Sequence, residues 1–355
     1  DPSKEKMLFA RSLVVRAVSA ATGTTMFLSA GAEEKKTTSW PELAQSSSAA
    51  VRRTEDGSIS SVTTGMNYLA KDVDKVWTNR DASGSDDSIY GAKWSPRDVE
   101  IRNGRLEGKK TLERNGFQLF RSPAAPLVDY YDKDQVVATY YSQCEALVKE
   151  ATGAKRVVAF DHNLRSAPSA GRTTKGGTTV QGPATMVHAD YTAASAPRRV
   201  AQLGEAPKIN DVVVVSKKEN KEPILSPPAD AASGTTFQLV NVWRPLKAVE
   251  ERPLAFCDAA TVDEADLVTF EIRYPDRTGE NWFAKFATKH AWYYFPNMAP
   301  EEAVLLKTWD SAVSFDDQRH HKGAQFVLHS AFHDPSSPKD ATPRESIEVR
   351  TVAIF

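Results

Sequence analysis

Apolar residues in this chain fall mostly into short runs cut by Pro, Gly, Asp and Ser, the spacing of strands rather than of helices. The runs that read as strands are Arg156 to Phe160, Ala184 to His188, Asp211 to Val215, Thr236 to Trp243, Leu267 to Arg273, Trp282 to Phe286, Ala324 to His329 and Ser346 to Phe355. One stretch breaks the pattern. Val136, Val137, Tyr140, Tyr141, Cys144, Leu147 and Val148 recur at helical spacing, and Gly153 is placed to supply a left-handed C-terminal cap. A second, shorter helix is predicted over Pro300 to Lys307. A helix followed by about eight short strands predicts a mainly β fold with flanking helices, a sandwich or a jelly-roll barrel with the helices packed outside.

The N-terminal region reads differently. Residues 6 to 32 contain no acid, carry Lys6, Arg11 and Arg16, and are rich in Ser, Thr and Ala, the pattern of an amphipathic leader or a mitochondrial transit peptide. Arg11 and Arg16 interrupt the apolar run Met7 to Val18, and no apolar stretch reaches the roughly 18 residues that span a bilayer. Residues 31 to 60 then turn polar and Ser-rich, as a linker would. The expected organisation is therefore a loosely ordered leader and linker over residues 1–57 and a single domain over residues 58–355.

Composition narrows the partners. With 41% hydrophobic and 26% charged residues the chain is globular rather than disordered. Lys and Arg number 45 against 46 Asp and Glu, so nothing in the charge points to nucleic acid or an anionic membrane. A small-molecule substrate is the expected partner, with a homodimer left open. Cys144 and Cys257 form no CxxC pair and are too few for a disulfide framework, which excludes a structural zinc site and suits a reducing compartment. The expected location is cytoplasmic, or mitochondrial if residues 7–32 act as a transit peptide. No GxGxxG or GxxxxGK[ST] loop is present to cradle a nucleotide.

Of seven histidines, only His188 opens an H-x-[DE] triplet, His188-Ala189-Asp190, at the end of an apolar strand. Residues two apart on a strand point to one face, so both side chains can reach one metal ion. Two histidines and one carboxylate on one face of an octahedron hold Fe(II) and leave positions open. Roughly 0.9 such triplets are expected by chance from this composition, so alone it also fits a strand-end histidine beside a solvated aspartate. Further along, His329 closes a strand candidate, and Arg344-Glu345-Ser346 follows 15 residues later. A guanidinium pairs bidentately with a carboxylate, and a hydroxyl two residues along the same face adds a third hydrogen bond. His290 competes as third ligand but has no Arg or Lys in residues 300 to 305 after it; His320 and His321 lie in a polar loop. Arg350 shares strand parity with Arg344, Ser346 and Glu348, which fits either a solvent face or a barrel lining with Arg350 paired to Glu348 or to an acidic substrate. In N-V-W-R-P, Trp243 reads as core and Arg244 as a further substrate or cosubstrate contact.

Several stretches then fall into one pattern: F-D-H-N-L-R (Phe160 to Arg165), V-H-A-D-Y (Val187 to Tyr191), N-V-W-R-P-L (Asn241 to Leu246) and P-L-A-F-C-D (Pro253 to Asp258). With them go W-Y-Y-F (Trp292 to Phe295), Lys307 and Asp310, H-S-A-F (His329 to Phe332) and P-R-E-S-I-E-V-R (Pro343 to Arg350). From about Val62 onward the chain resembles the gibberellin-desaturase-like and cephem-7-methoxylase-like oxygenases, the hydroxylase/desaturase family of fungal secondary metabolism, which includes an endoperoxide-forming member. The resemblance implies a double-stranded β-helix, a cupin-like jelly-roll barrel, that uses Fe(II), 2-oxoglutarate and O2. It implies His188, Asp190 and His329 as metal ligands and Arg344 and Ser346 as the grip on 2-oxoglutarate. Apart from the resemblance, Trp243, Arg244, Arg350 and Tyr191 are the candidate substrate contacts. The implied reaction is hydroxylation, desaturation or cyclisation of a metabolite by ferryl hydrogen abstraction, releasing succinate and CO2. Because Asp190 is present, the site is not halogenase-like. Two other classes stay open: a metal-dependent cupin-like isomerase or dioxygenase without 2-oxoglutarate, and a non-catalytic jelly-roll binding module.

Overall fold

The computed structural model describes residues 37–80, 88–123, 129–177, 179–206, 222–226, 234–275 and 277–355. In chain order the first strands are β1 (Thr37–Thr38), β2 (Ala50–Arg53), β3 (Ile59–Leu69), β4 (Val76–Asn79), β5 (Ile89–Tyr90), β6 (Trp94–Asn103) and β7 (Phe117–Arg121). After them come β8 (Arg156–Ser166), β9 (His188–Ala189), β10 (Phe237–Pro245), β11 (Leu254–Cys257) and β12 (Leu267–Arg273). The last are β13 (Thr278–Ala284), β14 (Trp292–Tyr294), β15 (Glu302–Asp310), β16 (His329–Ala331) and β17 (Glu345–Ile354). They form a 12-stranded sheet in the order β1-β5-β4-β12-β13-β9-β16-β11-β14-β6-β3-β2 and a 5-stranded sheet in the order β7-β15-β10-β17-β8. The protein is mostly β-sheet with few helices, and Lys36–Phe355 is one compact unit.

Strand alternation explains how the layers meet. In β10 and β17, Val240, Val242, Ile347 and Val349 face a cluster with Tyr140, Cys144, Leu147 and Val148 of the helical segment, so the smaller sheet is covered on its outer face. Phe237, Leu239, Val352 and Ile354 face the other way, into a core shared with Val62, Ala255, Trp282 and Phe326 of the larger sheet and its loops. Asn241, Trp243, Ser346, Glu348 and Arg350 have this inward parity too, so the polar side chains of β17 line the space between the sheets rather than a solvent face. A bulge in β8 opposite Arg350/Thr351 sets two successive residues, Phe160 and Asp161, on the cavity side.

The helical periodicity is present as a π-turn at Val136–Tyr140 running into the helix Tyr141–Thr152, capped by Gly153 at φ 70°. The helix expected over Pro300 to Lys307 is instead part of strand β15. Val304, Leu305 and Leu306 are all fully buried because Leu305 faces the helix-side cluster while Val304 and Leu306 pack with Phe117, Trp243 and Phe256 on the other face, and a strand covered on both faces loses its alternation. Lys307 is buried there with its Nζ 2.8 Å from Asp310 Oδ2. Of Ala184 to His188 and Ala324 to His329, only the ends lie in strands, β9 and β16. The Asp211 to Val215 strand and the leader over residues 6–32 lie outside the described residues.

Residues 37–57 are docked: β2 pairs with β3, β1 with β5, and Trp40 packs edge-on against Phe270 and Phe283. Both cysteines are buried free thiols whose pKa burial pushes up to about 12, so neither is reactive. Among the described residues no helix is long and apolar enough to cross a membrane.

Candidate active site

β9 is only two residues long, but it lies between β13 and β16, and its His188 is the ladder partner of His329. Directly paired residues on adjacent strands stand side by side, which brings the two imidazole centroids to 4.2 Å. Asp190, two residues after His188, shares its side. Its Oδ1 lies 3.7 Å from His188 Nε2 and 3.8 Å from His329 Nε2, and one ligand atom from each of the three residues lies within 4.8 Å of the others. Each imidazole is oriented by the carbonyl two residues earlier: His188 Nδ1 lies 2.9 Å from Met186 O, and His329 Nδ1 3.3 Å from Val327 O. With Nδ1–H donated to these carbonyls, both Nε2 lone pairs point toward Asp190.

Electrostatics hold this group in one protonation state. Burial pushes the His188 pKa down to about 4, with His329 adding to the effect, and burial also lowers that of His329. Burial alone would raise Asp190, but His329, Arg350, His188 and a bond from Asn241 hold its carboxyl below the usual range. Two neutral imidazoles and a carboxylate are the form in which these side chains ligate a divalent metal.

The smaller sheet supplies the other wall. Asn241 Nδ2 donates to Asp190 Oδ2 at 2.7 Å, tying β10 to the segment after β9 across the gap between sheets. Arg350 Nη1 pairs with Asp161 Oδ2 at 2.7 Å, and its Nη2 lies 3.8 Å from Glu348 Oε1. Burial, then Asp190, raise the Glu348 pKa against the pull of Arg350 and Arg165. Arg344 is buried above the Trp243 ring at 5.7 Å and donates to Arg252 O; its Nε has no hydrogen-bond partner among the described residues. Ser346 is equally buried on the same inward parity. Beside Asp190 a cavity of about 330 Å³ opens, lined among others by Phe160, Asp161, Tyr191, Arg199 and Arg350.

With the geometry in hand, comparison with known proteins is decisive. Residues 66–354 match the family model described as an oxidoreductase/YMDC permease-like domain. The hydroxylase/desaturase efuI of Hormonema carpetanum is 30% identical over 283 residues, which cover 74% of this chain and 85% of that protein. The chain belongs to this hydroxylase/desaturase family. The Fe(II)/2-oxoglutarate-dependent dioxygenase nvfI of Aspergillus novofumigatus is likewise 30% identical, over 72% of this chain and 83% of that protein. Among solved structures, the iron and alpha-ketoglutarate-dependent endoperoxidase NvfI superposes with a TM-score of 0.64 at 24% identity, covering 83% of this chain and 98% of that one.

In this hydroxylase/desaturase the structure brings together His188, Asp190 and His329 and sets Tyr191 and Arg350 on the adjoining cavity. His290 is not part of the group: its ring nitrogens lie 3.2 Å from Tyr68 Oη and 3.2 Å from Asp266 Oδ2. Arg244 was expected to meet substrate or cosubstrate, but its parity turns it to the outer face, where Tyr140 Oη, Pro300 O and Ser122 Oγ accept from its guanidinium. Two further residues belong to the site walls: Asn241, which the sequence places with Trp243 and Arg244 among candidate lining residues, as donor to Asp190, and Arg165, which the spacing alone did not single out, opposite Ser346. The alternation Asp161, Asn163, Arg165 in a strand with buried neighbours is the signal that marks the second of them.

Proposed function

We propose that His188, Asp190 and His329 hold one Fe(II) in this hydroxylase/desaturase, and that Arg344 and Ser346 take the distal carboxylate of 2-oxoglutarate. The observation that carries the reading is the convergence of two oriented Nε2 atoms and one carboxylate oxygen within 4.8 Å in a buried wall beside an open cavity. The two facing sheets, with the site on adjacent strands of one and the cosubstrate residues on the other, support a double-stranded β-helix. The protein is an Fe(II)- and 2-oxoglutarate-dependent oxygenase of the hydroxylase/desaturase type. Bound there, the metal and its cosubstrate supply the O2-dependent oxidising chemistry.

The chain's own residues then do the positioning. Met186 and Val327 carbonyls fix the imidazoles, Asn241 occupies one oxygen of Asp190 so that the other faces the histidines, and Trp243 supports the guanidinium of Arg344. The rings of Trp282, Phe326 and Trp309 pack in the core between the sheets and keep bulk water from that side. A small-molecule substrate fits the cavity beside Asp190, where Tyr191 and Arg350 are placed to touch it. Burial keeps the Tyr191 phenol protonated, its pKa pushed up to about 12, and so able to donate.

Anaerobic titration with Fe(II) or Co(II), followed by O2-dependent succinate formation from 2-oxoglutarate, tests the reading. His188→Ala and Asp190→Ala are expected to lose metal and turnover while keeping the fold. Full metal occupancy in His329→Ala with loss in His290→Ala would overturn the ligand set. A cupin-like enzyme without 2-oxoglutarate would bind metal and form no succinate, and a binding module would do neither.

A further inference from the structure

The cavity beside Asp190 has two walls that the metal and cosubstrate leave unused. One is the helix Ser195–Leu203, which presents Ser195, Arg198, Arg199 and Gln202 to it at the spacing of a single helix face. The other is the hairpin of β12 and β13, with Ile272 and Tyr274 on one arm and Arg277, Thr278 and Glu280 on the other. These walls are clamped together: Arg198 Nη1 donates to Thr278 O at 3.0 Å, and Ser195 Oγ to Glu280 O at 2.8 Å. Arg199 and Arg277 are the chain neighbours of the first pair so joined, one on each wall. Both are half-buried and both lie over rings, Arg199 5.1 Å from the centroid of Phe160 and Arg277 4.2 Å from that of Tyr274. A ring holds a guanidinium by its face, and the N–H donors lie in the plane, the edge that meets a carboxylate.

Four arginines line the cavity: Arg198, Arg199, Arg277 and Arg350. Three carboxylates share the lining. Asp161 is paired with Arg350, Glu280 Oε1 lies 3.9 Å from Arg198 Nη2, and Asp190 is the proposed metal ligand. With Asp190 counted, the lining still carries one positive charge more than negative. Fe(II) and 2-oxoglutarate, at plus two and minus two, leave that balance unchanged. Arg165, Arg344 and Glu348 do not line this cavity and would not reverse its sign. A cleft of one sign draws in an ion of the other, and one of about 330 Å³ with Phe160, Ile272 and Tyr274 on its surface suits an apolar body of small-metabolite size.

We infer that the substrate is a monocarboxylic acid with an apolar body, its carboxylate received between Arg199 and Arg277 and its body lying on Phe160 and Tyr274 toward Asp190. The inference rests on the Fe(II)- and 2-oxoglutarate-dependent reading above and names the substrate class of that site.

The test is anaerobic binding to the full chain loaded with Co(II) and saturating 2-oxoglutarate, so that the cosubstrate site is filled. The probes are two acids, each with its uncharged amide of the same shape: 3-phenylpropionate with 3-phenylpropionamide, and cyclohexanecarboxylate with cyclohexanecarboxamide. At least one acid is expected to bind about tenfold or more tighter than its amide. Arg199→Gln and Arg277→Gln are each expected to weaken that acid about 10-fold to 100-fold, the range of one charged hydrogen bond, and to leave the amide unchanged, with Arg199→Lys and Arg277→Lys recovering part of the loss. The inference is overturned if neither acid is preferred over its amide, if both Gln variants bind the acid as the unchanged chain does, or if acid and amide weaken together. Displacement of the acid by further 2-oxoglutarate overturns it too, since the acid then occupies the cosubstrate site. In each of these cases the Co(II) and 2-oxoglutarate complex still forms and the underlying reading stands; a chain that binds no 2-oxoglutarate takes both down.

Discussion

A carboxylate that presents one oxygen to a metal needs a donor for the other, and Asn241 Nδ2 at 2.7 Å from Asp190 Oδ2 is that donor. Asn241→Leu keeps the branched skeleton and removes the bond, leaving a buried carboxylate oxygen unpaired. Co(II) affinity is expected to fall about 10-fold to 100-fold, as when other outer-shell partners are lost, and an unchanged titration would show that Asp190 holds its orientation unaided. Arg344→Ala removes a charged fork worth about 1.5 to 3 kcal/mol, so the 2-oxoglutarate concentration needed for half-maximal succinate formation should rise about 10-fold to 150-fold. A variant that saturates as the parent does would remove Arg344 from the cosubstrate site. At this scale the pair His188 and Asp190 was legible because a strand's two-residue repeat fixes their shared face. The bond from Asn241 to Asp190 was not, because it crosses between two sheets from a position 51 residues away.

One helix carries the outer face of the smaller sheet, and polar contacts tie it to β8, among them Ala159 N donating to Glu145 Oε1 at 2.8 Å. Tyr141 Oη lies 2.9 Å from His162 Nδ1, with Tyr141 at the start of the helix and His162 on β8. Burial lowers the His162 pKa from its ordinary 6.5 to about 4. Between those values the unfolded chain binds a proton that the folded chain does not, so stability falls as pH drops through that window, by up to about 3 kcal/mol. His162→Gln keeps a side-chain acceptor and cannot titrate. Its urea unfolding free energy should decline less than the parent's from pH 6.5 to 4, and parallel declines would assign the acid sensitivity elsewhere. The helix itself was legible from its 3.6-residue period and its Gly153 cap. β15 was misread because burial on both faces leaves Ala303 to Leu306 a continuous apolar run, which periodicity alone does not assign to strand or helix.

On the scale of the whole molecule, the segment from residue 37 to 57 ties the sheet edge to the metal site. Trp40 packs on Phe270 and Phe283, and Phe283 is the ladder partner of His188. Asn67 Nδ2 donates both to Glu42 O at 2.7 Å and to Thr185 O at 2.9 Å, Thr185 Oγ1 donates to Pro41 O, and Val187 N donates back to Asn67 O at 3.0 Å. That circuit closes one residue before His188. Composition could not show it, because most of these contacts go to backbone carbonyls, which any residue carries, and Trp40 is the sole aromatic side chain in the segment. A chain starting at residue 58 is therefore expected to melt several degrees lower and to bind Co(II) at least about tenfold more weakly, since the backbone holding His188 loses its brace. Trp40→Ala in the full chain separates packing from bracing: it should cost about 2 kcal/mol for a partly buried indole and leave the Asn67 bonds in place, so metal affinity should change little. Thr185→Val should do the reverse, lowering metal affinity more than melting temperature. If the chain from residue 58 keeps both its melting temperature and its Co(II) affinity, the segment merely covers the sheet, and the site owes it nothing.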